Sequence, residues 1–197
     1  YAYAPTIDIG VEFDKVGDGH LLNTTEEMEM EFADRQTGLI RPASTDPLFL
    51  LWSDDGGSTW ERRDLPAPDW YPSAFECDMI DSQLISALSA AVLVRCRDGI
   101  GHSRMALYRT EDGAGTWQTF PVSPFESIWS MDFLDHDTGF LFGPTIYETK
   151  QGGRSWRAVK QVGWDRAKFD FINADLGWAV AEEDISTGET RWAVLAT

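Results

Sequence analysis

Ser53-Asp54-Asp55-Gly56-Gly57-Ser58-Thr59-Trp60 is the stretch that decides the fold. Its residue types are those of a tight loop between two strands. The Asp55 carboxylate can accept backbone N–H bonds across the loop, as in an Asx-turn. Gly57 supplies the positive φ that such a reversal needs. Ser53 and Thr59 bring hydroxyls that bond the local backbone. Trp60 then opens the next strand and buries a large ring between sheets. Every residue of the stretch has a task in building a hairpin, so none is left over for catalysis.

The frame recurs downstream. Thr110-Glu111-Asp112-Gly113-Ala114-Gly115-Thr116-Trp117 keeps Thr110, Asp112, Thr116 and Trp117, with Ala114 in the glycine slot. Thr149-Lys150-Gln151-Gly152-Gly153-Arg154-Ser155-Trp156 keeps Thr149, Gly153, Ser155 and Trp156, with Gln151 in place of the acid. Each copy follows an apolar run. A second signature interleaves with the first: Phe32-Ala33-Asp34…Gly38, Phe133-Leu134-Asp135…Gly139 and Phe171-Ile172-Asn173…Gly177. Asp or Asn followed by Gly in a short polar gap between apolar runs marks a hairpin turn. Met79-Ile80-Asp81 reads as a degenerate copy that lacks the glycine. Ser82–Ala90 and Pro66–Ser73 read as longer loops.

The two signatures define a unit of four strands. In the first unit the strands are Met28–Phe32, Gly38–Pro42, Leu48–Ser53 and Trp60–Leu65. Met28-Glu29-Met30-Glu31-Phe32 alternates as a half-buried strand does, with the glutamates on its exposed face. Approximate units are 28–66, 75–122, 128–160 and 168–197. Residues 1–25 hold strand-like pieces that could close a ring, and the whole, 1–197, is one domain or a fragment of a longer one. Repeated four-stranded antiparallel units of this length are blades, so the expected fold is an all-β β-propeller with about four blades visible.

The repeated loops are similar to the Asp box, or bacterial neuraminidase repeat. Phe171–Val180 and Ser53–Trp60 resemble the repeat units of the photosystem II assembly factors and their bacterial relatives, and the resemblance spans roughly residues 28–197. It implies an extracytoplasmic scaffold that holds partners during assembly. The sialidases are similar in their Asp boxes only. That family needs an arginine cluster, a Tyr–Glu nucleophile pair and an Asp acid. Arg41-Pro42 resembles its arginine motif, but without the intervening Ile and inside the second strand of a unit, so glycosidase activity is not expected.

Composition narrows the partner. A net charge of −17 and a pI near 4.3 lack the basic stripe of a nucleic-acid binder. No apolar run approaches the roughly 18 residues of a membrane span. Cys77 and Cys96 lie in strand-like segments; a cross-strand disulfide, and hence folding outside the cytoplasm, is expected, with two buried free thiols as the alternative. His20, His102 and His136 have no ligand spacing, and Asp54-Asp55 and Glu182-Glu183-Asp184 lack the spacing of a calcium loop, so neither metal nor cofactor is expected. Trp70 and Tyr71, with Arg41, are the candidate binding surface. The expected function is a non-enzymatic scaffold or accessory subunit binding a protein in a membrane or surface complex. The alternative is a glycan-binding or vestigial sialidase-like module.

Overall fold

The computed structural model describes residues 28–42, 47–67, 76–97, 102–122, 128–162, 166–173, 175–185 and 189–196. These residues form antiparallel sheets in which each strand pairs with the next in the chain. The first sheet holds β1 (Met28–Phe32), β2 (Gly38–Pro42), β3 (Phe49–Ser53) and β4 (Glu61–Asp64). The second holds β5 (Glu76–Leu84), β6 (Ala90–Arg97), β7 (Ser103–Thr110) and β8 (Gln118–Val122). β9 (Ser130–Phe133), β10 (Gly139–Phe142), β11 (Thr145–Thr149) and β12 (Arg157–Gln161) form the third. β13 (Arg166–Asn173), β14 (Leu176–Ile185) and β15 (Glu189–Ala196) form a three-stranded fourth. Each sheet is a blade, and neighbouring blades approach through their first strands.

The core is the packing of one blade on the next. Leu39, Leu50 and Trp52 of the first blade meet Val92, Val94 and Tyr108 of the second, all fully buried or nearly so. The opposite face of the second blade, with Leu93, Met105 and Leu107, packs on Met131, Phe133 and Leu141 of the third. The middle strand β6 therefore has apolar residues on both faces and reads as a continuous run, Ala90-Ala91-Val92-Leu93-Val94.

The hairpin between the first two strands of a blade closes on a Phe–Gly pair. Phe32 stands opposite Gly38, Phe133 opposite Gly139 and Phe171 opposite Gly177. The ring lies across the glycine so closely that a Cβ on Gly139 would meet Phe133 Cδ1 at 2.4 Å, and one on Gly38 would meet Phe32 Cε1 at 2.7 Å. Asp34 and Asp135 fold the turn by accepting two backbone N–H bonds each, from Gln36 and Thr37 and from Asp137 and Thr138. Those bonds, Thr37 first, hold the Asp34 carboxyl below its usual range.

The second blade corrects the reading of Met79-Ile80-Asp81. Asp81 lies inside β5, where the register shifts, and turns no hairpin. The turn comes later, at Ile85–Ser89, where Ile85 N–H bonds Ser89 O as Ala33 N–H bonds Thr37 O in the first blade. Ser86 Oγ takes the Asp34 role by accepting from Leu88 N–H. Leu84 stands opposite Ala90, where the other blades have Phe and Gly. A smaller side chain on one strand has made room for a methyl on the other. Ser82–Leu84 belong to the strand, so the expected long loop shrinks to the turn.

β1 departs from expectation as well. Met28, Met30 and Phe32 are 41%, 63% and 44% exposed, whereas Glu31 is partly buried against the second blade. Its acidic face is the one that meets a neighbour. The fourth strands begin one residue after each box Trp, at Glu61, Gln118 and Arg157.

Candidate functional site

The loops at Ser53–Trp60, Thr110–Trp117 and Thr149–Trp156 consume their polar groups locally. Asp55 Oδ1 accepts from Thr59 N–H at 2.8 Å, and its Oδ2 accepts from Thr59 Oγ1 at 2.7 Å. Ser53 Oγ donates to Asp55 and accepts from Gly57 N–H. Asp112, Thr116, Thr110 and Ala114 repeat this set. Hydrogen bonds from the Thr116 side chain, then from its N–H and from Thr110, hold the Asp112 carboxyl down at about 2. In the third loop Gln151 Oε1 accepts only from Ser155 Oγ, while Thr149 Oγ1 still accepts from Gly153 N–H. Ala114 adopts φ 62° in the slot where Gly57 and Gly153 sit at 83° and 91°. Trp60, Trp117 and Trp156 set their rings edge-on to Phe32, Tyr108 and Phe133.

Trp70 and Tyr71 lie outside the described residues. Arg41 is a strut: its guanidinium donates to Met79 O in the second blade and pairs with Glu29. Cys77 and Cys96 stand opposite each other on β5 and β6 and form a disulfide. On the rim between the second and third blades, His136 bonds Glu111 and Asp137. The Glu111 bond, then the Asp137 bond, raise the His136 pKa. The nearby Arg109 is buried, donates to His136 O and lies over the Phe133 ring.

The first strands of the blades line a cavity of about 540 Å³. The residue just before each Phe position carries a side-chain acceptor that reaches into the next blade. Glu31 Oε2 accepts from Leu84 N–H at 2.7 Å, Gln83 Oε1 from Phe133 N–H at 2.6 Å and Asp132 Oδ2 from Phe171 N–H at 3.1 Å. Each bond joins equivalent positions of successive blades. Asp81 adds a parallel link, its Oδ2 accepting from Met131 N–H at 2.8 Å. Asp170 holds the same place in the fourth blade. The signal was present in the sequence as a polar residue preceding each Phe or its Leu84 substitute, but the partner lies 39 to 53 residues away.

The cavity is acidic and partly dehydrated. Glu29, Glu31, Asp81, Asp132 and Asp170 line it, against the ammonium of Lys168. Burial raises the pKa of Glu31 and of Asp132, and pushes Asp81 up to about 6 against the opposing pull of the Met131 N–H and Arg41. Ser82, Trp129 and Ser130 border the same cavity, but their hydroxyls and indole N–H are shut off from solvent and have no protein hydrogen-bond partner; Ser82 is only 4% exposed. Among the described residues no three acids, imidazoles or thiols converge as metal ligands would.

No protein-family model matches the chain, and no curated protein does. Solved structures do. One is YCF48 bound to a D1 peptide, with a TM-score of 0.59 and 21% identity, covering 88% of this chain and 56% of that one. Another is YCF48 from Cyanidioschyzon merolae, with a TM-score of 0.52 and 15% identity, covering 77% of this chain and 47% of that one. A third is the GH74 enzyme of Niastella koreensis, with a TM-score of 0.51 and 16% identity, covering 82% of this chain and 27% of that one. The chain thus spans about half the length of the YCF48 proteins it matches. At these identities the likeness is one of architecture, and with the sheets described above it makes the chain a β-propeller of antiparallel blades.

Proposed function

We propose that the chain is a non-enzymatic scaffold or accessory module that binds a protein partner outside the cytoplasm. The observation that carries this reading is the likeness to YCF48 bound to a D1 peptide, a related architecture holding a polypeptide. The cavity between the first strands gives this chain a place for such a ligand. The Cys77–Cys96 disulfide supports an oxidising compartment, since thiols in the cytosol are kept reduced.

The GH74 likeness favours a second reading, a glycan-binding or vestigial glycosidase-like module. A glycosidase needs a pair of carboxyl groups free to act as acid and as base or nucleophile. Here Glu31, Asp81 and Asp132 hold the backbone of the adjacent blade, which favours the scaffold.

The test is isolation from the native source under mild conditions, followed by size exclusion and mass spectrometry. A protein that co-elutes at fixed stoichiometry supports the scaffold. A partner-free chain whose Trp fluorescence responds to oligosaccharides would replace it with the glycan reading.

A further inference from the structure

The joint between the third and fourth blades can be read as a template. Phe140 stacks on Phe171 with ring centroids 4.7 Å apart, and Phe142 stacks on Phe169 at 3.8 Å. Asp132 Oδ2 completes the joint by accepting from Phe171 N–H. Strand register then identifies the same places elsewhere. Phe171 opposite Gly177 matches Phe133 opposite Gly139 and Phe32 opposite Gly38. Counted from those glycines, Trp178 and Val180 of the fourth blade hold the places of Phe140 and Phe142. Phe32 and Met30 of the first blade hold the places of Phe171 and Phe169. Asp170 stands directly before Phe171, as Asp132 stands before Phe133.

The two halves of such a joint thus lie at opposite ends of the array, and both face solvent. Trp178, Val180 and Val194 are 40%, 41% and 75% exposed, on the face of the fourth blade that carries Asp170. No blade follows the fourth among the described residues. On the first blade Met28, Met30 and Phe32 are exposed, while Ile40 on the same face is buried, so the open area is β1 itself. Contiguous apolar side chains in this state mark an association surface. In the joints within the chain the acceptor comes from one blade and the N–H from the next, so the two faces differ and neither repeats the joint with a copy of itself.

We infer that two copies of this chain associate head to tail, the fourth blade of each seated on the first blade of the other. Trp178 packs on the partner's Phe32 and Val180 on the partner's Met30. Asp170 accepts from the N–H of the partner's Phe32. Two such joints relate the copies by a twofold axis and close a ring. Four sheets from each copy give eight blades, within the range of roughly four to eight found in propellers. The second copy is the fitting occupant because its β1 matches the acceptor and both packing positions in one register. The inference stands apart from the scaffold reading.

The test is sedimentation velocity on the full chain at micromolar to submillimolar concentration. A dimer is expected. Met30→Glu and Val180→Lys each bury an unpaired charge in the joint and should weaken dimerisation roughly a hundredfold or more. Both positions are exposed in the single chain, so neither change disturbs a core, and circular dichroism checks this. The two changes in one chain set opposite charges against each other at both joints and should bring dimerisation back to within about tenfold of the parent. Val159→Glu on β12, an exposed site outside both faces, is the control and should alter dimerisation less than about twofold. A monomer at every concentration overturns the inference, as does equal weakening by the control. A dimer that survives Met30→Glu shows the fourth blade pairing with itself and overturns the head-to-tail arrangement. Growth into open polymers overturns the closed ring, and failure of the double variant to recover overturns the pairing of Met30 with Val180.

Discussion

Replacing Asp81 with Asn should make the protein more stable at neutral pH. The Asp81 pKa rises from 3.8 to about 6, mainly through burial. Each unit is worth about 1.36 kcal/mol, so ionising this group in the folded state costs at most about 3 kcal/mol. The sign follows from proton counting. Between pH 4 and 6 the folded chain holds the Asp81 proton more tightly than the unfolded chain, so stability falls as pH rises through this window and stays low above it. Asn carries no charge to dehydrate and keeps an oxygen for the Met131 or Ser82 N–H. The variant should match the parent near pH 4 and exceed it by up to about 3 kcal/mol at pH 7, a Tm gain of roughly 6–12 °C for a chain of this size. Denaturant titrations of both proteins at steps from pH 4 to 8, with the disulfide intact, measure the difference directly. A gap that does not change with pH, or a variant less stable than the parent at pH 7, would refute the reasoning.

Three further outcomes follow from the same structure. Gly139→Ala should be destabilising because its Cβ would meet the Phe133 ring at 2.4 Å, and adding Phe133→Leu should recover part of the loss; a double-mutant cycle by thermal melting should show coupling of about 1 kcal/mol or more. Ala114→Gly should stabilise by about 0.5–1 kcal/mol, because the native φ of 62° suits glycine and strains alanine; urea midpoints report it. His136 should titrate above its ordinary range by NMR, and Glu111→Gln should bring it down. Its raised pKa adds stability that is complete below the unfolded value and lost as pH rises through the folded one, an effect of less than about 1 kcal/mol at an exposed rim.

The strands and their turns were legible because the chemistry that makes them is local. Asp55 and Thr59 lie within one loop, as do Ser53 and Gly57, so a short window of sequence contains the whole interaction. The cysteine pairing could be anticipated for a related reason, since adjacent strands of a meander bring Cys77 and Cys96 into register. The turn of the second blade escaped because its identity residues had changed while its geometry had not. The cavity was harder still to see. Glu31 looked like a solvated strand face, and only the position of the next blade shows it holding Leu84 N–H. Nothing within a window around Glu31 points to a partner more than fifty residues away.

The Leu84–Ala90 pair has a bearing on how such chains are detected. What the second blade shares with the others at this place is a combined volume, divided differently between two positions. A profile that weighs each column alone sees one aromatic lost and one glycine lost, and scores both as decay. A covariation term linking the two columns would score the same exchange as compensation. Diverged arrays of this kind are therefore better counted by paired steric exchange than by motif identity, and their homology can outlast every residue that first defined it.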